Sequence, residues 1–533
     1  MGYWSFYFLA KLGLYAAQLI GLNWWANLVF AMALAWPLIH PRARFWRHVA
    51  AVPVAIGLLW HDSNWPGASR LLSQWSAVSE FSGQYLVELA GRVISWQVVV
   101  ALVLGAGLYS LVMRRLRLGV VAVAVLAAVP LLPHPGSVGL PEGLAPTMGS
   151  PAPVPGSAAA APAVAAYDPL TPPQLDKLLL QFYDTEQARS VVLEPRAART
   201  PPFDIVVLSV CSLAWDDLAA SGLDASRFFA RFDLLFRQFN SVASYSGPAV
   251  LRLLHAGCGQ PRQHALYEPT EANCMVFQRL EQAGYRSSLL LNHDGHFDHF
   301  AEQLAQLGGL GLRPTDPSGA PVAMHSFDGS PIYSDIDLLS RWWQRDSAAK
   351  ADGRPRALLY NTISLHDGNR LPGSASTSSL QTWKPRAARL MADFERFFAM
   401  VERSGRPTVV VFVPEHGAGL RGDALQISGM REYPTPRITH VPVGLALLGF
   451  GPRPAEALQI RVDQTASYSA LFAALAVLLQ RDERSPWETL AAFAQALPPL
   501  EWVAENERTL ILRHDSRTYL RTDGDWQQYG SAR

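Results

Sequence analysis

Across the first 132 residues, apolar runs long enough to cross a bilayer alternate with short charged connections, which predicts a transmembrane helix bundle for this part of the chain. From Leu12 to Trp36 the interruption is Asn23 beside Trp24 and Trp25. That pattern predicts two helices joined by a tight interfacial turn with an aromatic belt, the first beginning near Trp4. No charge falls between Arg92 and Arg114, so Val93 to Met113 is the clearest single span. His48 to Trp60, which contains Pro53, and Gly119 to Leu132 are shorter, and counting both gives about five helices. Arg42, Arg44 and Arg47 sit in one short connection and Arg114, Arg115 and Arg117 in another, marking both as cytoplasmic. Five spans then put the N-terminus inside, and the amphipathic stretch from Arg70 to Leu89 and everything after Leu132 outside. A cleaved signal peptide fits poorly, because the first apolar run continues too far and further spans follow it.

Residues 133 to 167 hold eight prolines among Ala, Gly and Ser with Glu142 as the one charge, a composition that buries no core and predicts a semi-rigid tether. From 168 to 533 the chain reads as a globular domain. After an amphipathic stretch from Gln174 to Tyr183, β-rich runs at Asp204 to Val210, Ser287 to Leu291, Ala357 to Ile363, Thr408 to Val413 and Val441 to Leu448 are separated by stretches of helical period such as Ala387 to Val401. That alternation predicts an α/β fold with a mostly parallel central sheet covered by helices, with functional residues just past the carboxyl ends of strands. Cys211, Glu415, His416 and His366 follow such runs. The whole chain is 49% hydrophobic and 17% charged, which excludes a disordered or fibrous protein, and its net charge of +1 argues against nucleic acid as a partner.

Cys211, Glu415 and His416 supply a thiolate, a carboxylate and an imidazole, a mixture that zinc accepts. Of the three cysteines, Cys258 and Cys274 close a short loop as candidate disulfide partners. Cys211 is left over, and an unpaired thiol at a strand end calls for an explanation such as metal binding. Ser246, in Ser244-Tyr-Ser-Gly-Pro-Ala249, precedes a helical run from Val250 to Ala256. A serine there serves as a cap or as a nucleophile, with a nearby cation lowering its hydroxyl pKa and the helix N-terminus stabilising phosphate charge.

The run from Asp204 to Cys211 and on through Trp215-Asp-Asp217 resembles the BcsG family, together with Ser244 to Ala249, Leu-Leu-His-Ala-Gly-Cys258, Pro414-Glu-His-Gly-Ala-Gly419 and Thr439-His-Val-Pro-Val-Gly444. These are the phosphoethanolamine transferases of bacterial cellulose secretion, in the alkaline-phosphatase superfamily. The resemblance covers the whole chain. It implies a multi-pass inner-membrane protein with a periplasmic, alkaline-phosphatase-like catalytic domain that moves phosphoethanolamine from phosphatidylethanolamine to glucose 6-hydroxyls of cellulose. It also implies zinc held by Cys211, Glu415 and His416 close to the nucleophile Ser246, and subunits of the cellulose synthase complex as partners. His366, in Ser364-Leu-His-Asp-Gly-Asn369, and Arg431, in Gly429-Met-Arg-Glu-Tyr-Pro434, fall in the active site as catalytic and substrate-binding residues, with Tyr245 lining it.

Lipid A phosphoethanolamine transferases use a threonine nucleophile and an acidic residue where Cys211 stands. Sulfatases require Cys/Ser-x-Pro-x-Arg, and Val250 occupies that Arg position. Lipid A, another glycan, or a mainly structural role in the synthase complex remain the alternative functions. The cluster Asn292-His-Asp-Gly-His296-Phe-Asp-His299 reads as a surface loop, Trp215, Asp216 and Asp217 as a brace for the loop after Cys211, and Leu510 to Arg521 as a structural hairpin.

Overall fold

The computed structural model describes residues 4–17, 20–62, 79–93, 96–112, 118–129, 169–193, 201–348, 353–374, 378–423, 425–451, 453–454, 458–481, 484–522 and 524–529. The expected tether at 133–167 and the Arg114–Arg117 connection lie outside the described residues. The chain divides into two compact units, one of Met1–Ser76 and Ala90–Asp168, the other of Ala77–Leu89 and Pro169–Ala532.

In the first unit, helices Trp4–Ala16 and Trp24–Ala35 flank the expected break, and the Asn23 side chain caps the second by accepting from Ala26 N. Helix Pro41–Asp62 is longer than the expected run from His48 to Trp60. Pro41 suits a helix start, so Arg42, Arg44 and Arg47 lie in its opening turns rather than in a connection. Helices Trp96–Val112 and Leu118–Ala128 follow. No single described helix is long and apolar enough to cross a membrane, although Gly83–Arg92 and Gln97–Leu111 pass that test taken together. Within this unit Lys11 pairs with Asp62 at 2.7 Å, both buried, and Asn27 bonds to both.

The second unit is built on a seven-stranded sheet of order β3-β6-β1-β7-β8-β2-β9. Its strands are β1 (Asp204–Val210), β2 (Leu234–Asn240), β3 (Arg286–Leu291), β6 (Arg356–Thr362), β7 (Thr408–Pro414), β8 (His440–Leu448) and β9 (Ile460–Ala466). A two-stranded sheet, β4 (Val322–His325) and β5 (Pro331–Tyr333), lies between β3 and β6 in sequence. β8 alone runs against its neighbours, so the sheet is mostly parallel as expected. The apolar runs of β1 and β7 are continuous because both sheet faces are covered. Ile205, Val207, Val409 and Val411 join the core packed by helices Ser246–Leu254 and Tyr468–Leu479. Val206, Leu208, Val410 and Phe412 join the core on the other side, under helix Trp383–Ser404.

Two further features complete this unit. Four antiparallel strands, β10 (Trp502–Glu505), β11 (Thr509–His514), β12 (Arg517–Thr522) and β13 (Asp525–Tyr529), pack against helix Pro172–Gln187. The expected hairpin from Leu510 to Arg521 is the β11–β12 pair. Cys258 and Cys274 are joined as a disulfide, and Cys211 is free and buried.

Candidate active site

The sheet topology assembles the site. β1 and β7 are parallel with Val210 opposite Pro414, so Cys211 and Glu415 emerge side by side one residue past the same sheet edge. β6 pairs with the other side of β1, Thr362 opposite Val210, and delivers the loop that carries His366. β2 points the same way and leads into the helix Ser246–Leu254.

Ligand atoms of Cys211, Glu415 and His416 lie within 4.8 Å of one another, all buried, and form a group that can hold a metal ion. Cys211 Sγ is 3.7 Å from His416 Nε2. Glu415 Oε1 accepts from Ser209 Oγ at 2.9 Å and Asn361 Nδ2 at 2.5 Å, whereas Oε2 is buried with no partner of good hydrogen-bond geometry among the described residues, the Ser246 hydroxyl acting on this carboxyl from nearby. A buried carboxylate oxygen left in that state is costly unless a cation meets it, and the mixed sulfur, oxygen and nitrogen donors suit zinc. His416 Nδ1 is 2.9 Å from the Gly417 carbonyl, which holds the proton on Nδ1 and leaves the Nε2 lone pair facing Ser246 and Cys211, where it could bind a metal. Burial pushes the Cys211 thiol up to about 11, with the Glu415 charge adding to it. Burial also raises the Glu415 carboxyl and, together with Arg431, holds His416 well below the ordinary imidazole range.

Ser246 opens its helix, with Oγ 3.2 Å from His416 Nε2 and 3.4 Å from Cys211 Sγ, and its side is partly exposed. Arg431 Nη1 donates to Ser212 Oγ at 3.1 Å and lies 3.3 Å from His416 Nδ1. Ser212 Oγ is in turn 3.2 Å from Cys211 Sγ. His366, partly exposed, has Nδ1 2.6 Å from the Asp367 carbonyl, and burial followed by the Arg431 charge lowers it to about 4. A buried donor trio thus sits beneath three partly exposed groups, a hydroxyl, a guanidinium and a neutral imidazole. Tyr245 is the residue before the helix, and its side chain is exposed.

Further residues hold the site, among them Asp217 as expected and Asn361 with no signature in the sequence. Asn361 is a polar side chain inside the fully buried β6, and its Oδ1 lies 3.1 Å from Nε2 of His293. His293 is therefore not part of a surface loop. It is buried at the end of a chain running through Asn361 to Glu415, while His296 and His299 are exposed as expected. Asp217 accepts from Ala214 N, Ala418 N and Leu420 N, which ties the loop after Cys211 to the loop after His416. Ser244 Oγ donates to the Arg431 carbonyl and receives Asn506 Nδ2 at 2.8 Å, joining the loop that carries Ser246 to the Arg431 loop.

Comparison with known proteins agrees with the motifs. The model of the cellulose biosynthesis protein BcsG C-terminal domain matches residues 159–526, and that of the BcsG N-terminal domain matches residues 4–131. Cellulose biosynthesis protein BcsG of Salmonella typhimurium is 36% identical over 546 residues, covering 99% of this chain and 96% of the relative. The Escherichia coli protein of the same name is 35% identical over 548 residues with the same coverage. Among solved structures, an alkaline-phosphatase-superfamily protein from Vibrio parahaemolyticus is similar at 12% identity, covering 66% of this chain and 87% of its own, with a TM-score of 0.48. Matched in both halves and aligned almost end to end with its relatives, the chain belongs to the BcsG family of cellulose biosynthesis proteins.

Proposed function

We propose that the protein is a zinc-dependent phosphoethanolamine transferase that takes the group from phosphatidylethanolamine and places it on glucose 6-hydroxyls of cellulose. The observation that carries this reading is Ser246 Oγ at a helix N-terminus, within 3.4 Å of Cys211 Sγ and 3.2 Å of His416 Nε2, beside the buried Glu415 carboxylate. Cys211, Glu415 and His416 would hold the zinc. When bound, it supplies Lewis acidity that lowers the Ser246 hydroxyl pKa and offsets phosphoryl charge.

The remaining chemistry belongs to the side chains. Ser246 Oγ forms a bond to phosphorus as the bond to the diacylglycerol oxygen breaks, leaving phosphoethanolamine on the serine. Arg431 offers fixed donors to the phosphoryl oxygens, and the backbone N–H groups opening the Ser246–Leu254 helix face the same charge. His366, neutral and with its Nδ1 proton held by the Asp367 carbonyl, offers an Nε2 lone pair that can take the proton of the attacking hydroxyl and return it to the departing alkoxide. A sugar hydroxyl then attacks the phosphorus and the Ser246 oxygen leaves. Tyr245, exposed before the nucleophile, is assigned to the substrate-facing rim.

A lipid donor explains the apolar N-terminal unit, which on this reading spans the inner membrane about five times, with the catalytic domain reaching the periplasm on the 133–167 tether. The emerging polymer brings the domain beside the cellulose synthase complex. A mainly structural role in that complex would leave the assembled Ser246 cluster without a purpose. The test is transfer of labelled headgroup from phosphatidylethanolamine vesicles to a cello-oligosaccharide by the full chain. Label should reach the sugar with wild type and not with Ser246→Ala. Equal transfer by both proteins, or label on lipid A alone, would reject this assignment.

A further inference from the structure

A short piece of the N-terminal region belongs to the catalytic unit: Ala77–Leu89 clusters with Pro169–Ala532. Its described part enters helix Gly83–Val93 and docks beside the His366 loop. Ser82 N donates to the Phe327 carbonyl at 2.9 Å, and the rings of Phe81 and Tyr85 lie 5.4 and 6.0 Å from that of Phe327. The Phe327 ring is itself 4.9 Å from the His366 ring.

The polar contacts fall on the residues just after His366. Tyr85 OH donates to Asp367 Oδ2 at 2.9 Å. Glu88 Oε2 accepts from Arg370 Nη2 at 2.9 Å, and its Oε1 accepts from Ser379 N at 2.8 Å and Ser379 Oγ at 3.0 Å. Asp367 Oδ1 accepts from Ser379 Oγ and Gly368 N, and the Asp367 carbonyl fixes His366 Nδ1. Gly368 has φ +83°, and a Cβ there would stand 2.5 Å from Phe327 Cβ and 2.9 Å from Tyr85 Cε2. Glycine is therefore required both by the turn and by the ring that the docked segment places against it.

We infer that Tyr85 and Glu88 are positioning residues for His366. They clamp the Asp367–Arg370 turn from the far side, so the loop that aims the imidazole is held by chain that precedes the tether. A domain cut free at the tether would lose this clamp. The inference rests on the transferase reading for the role of His366, but the clamp itself can be tested without turnover.

The experiment uses the full chain in detergent with Tyr85→Phe, which keeps the ring packing, and with Glu88→Gln. Amide exchange by mass spectrometry should quicken across 366–370 in both variants and stay unchanged in peptides carrying Cys211 and His416. Diacylglycerol release from a short-chain phosphatidylethanolamine, with a cello-oligosaccharide present to discharge the enzyme, should fall about tenfold in kcat with KM and zinc affinity retained, in keeping with the cost of a misplaced catalytic group. Placed on His366→Ala, the same substitutions should cost nothing further, because they act through that imidazole. An equal fold loss in both backgrounds, or unchanged exchange in 366–370, would overturn the inference. If wild type releases no diacylglycerol while the loop loosens in both variants, the transferase reading falls and the clamp stands.

Discussion

Zinc binding should carry a pH dependence set by Cys211. The thiol is buried, bonded to neutral neighbours and pushed up to about 11, so it keeps its proton in the metal-free protein. Stripping that proton at pH 7 costs about 5 kcal/mol, which metal binding must offset. One proton therefore leaves for each zinc that enters, and the apparent association constant rises at least tenfold per pH unit, about 100-fold from pH 6 to pH 8. His416 contributes no proton in this window because its imidazole is held neutral. Glu415, raised by burial, can only steepen the slope. Competition against a chromophoric chelator of known protonation, across that range, measures the slope directly. Cys211→Ala should lower it by one proton. A wild-type slope below one, or one that Cys211→Ala leaves unchanged, would refute the reasoning.

Three other expectations follow from named contacts. Asn361→Ala removes the bond that orients Glu415 and should weaken zinc binding 10- to 100-fold, read by the same competition titration; unchanged affinity would contradict that role. Asp204 is the carboxylate for the fully buried Arg356, with which it makes a two-point contact at 2.9 and 2.7 Å, so Asp204→Ala should cost about 3–5 kcal/mol in denaturant unfolding while the zinc site is retained. Ser212 sits at φ 68° next to Cys211, and Ser212→Gly should relieve about 1 kcal/mol of backbone strain and raise the melting temperature. The same change deletes the Arg431 partner, so turnover should fall as stability rises, and unaltered turnover would show that the contact is idle.

What the sequence discloses follows the physics of burial. β1 and β7 are legible because strands covered on both faces are apolar throughout. β9 carries a weak strand signal because it is an edge strand with exposed Arg461, Asp463 and Gln464. β2 carries a weak strand signal because its middle holds exposed Arg237, where the folded pairing also shifts register. The donor trio was readable from residue type at strand ends, since a thiol, a carboxylate and an imidazole there suggest few alternatives. Residues that hold the trio were not, because Asn361 and His293 act through partners that are close only after folding. The docked segment around Tyr85 was invisible for the same reason, its partner Asp367 lying 282 residues along the chain. Helix continuity through Arg42–Arg47 is not legible, because three arginines in six residues carry a loop signal even where Pro41 starts a helix.

The most direct test of the account is the covalent intermediate on Ser246. Full-length protein would be incubated with phosphatidylethanolamine and zinc in the absence of any sugar, then digested and its peptides weighed. The account predicts one phosphoethanolamine group on Ser246 of wild type, absent from Ser246→Ala and discharged when a cello-oligosaccharide is added. A zinc-loaded, folded protein with no adduct, or an adduct that persists in Ser246→Ala, would contradict it.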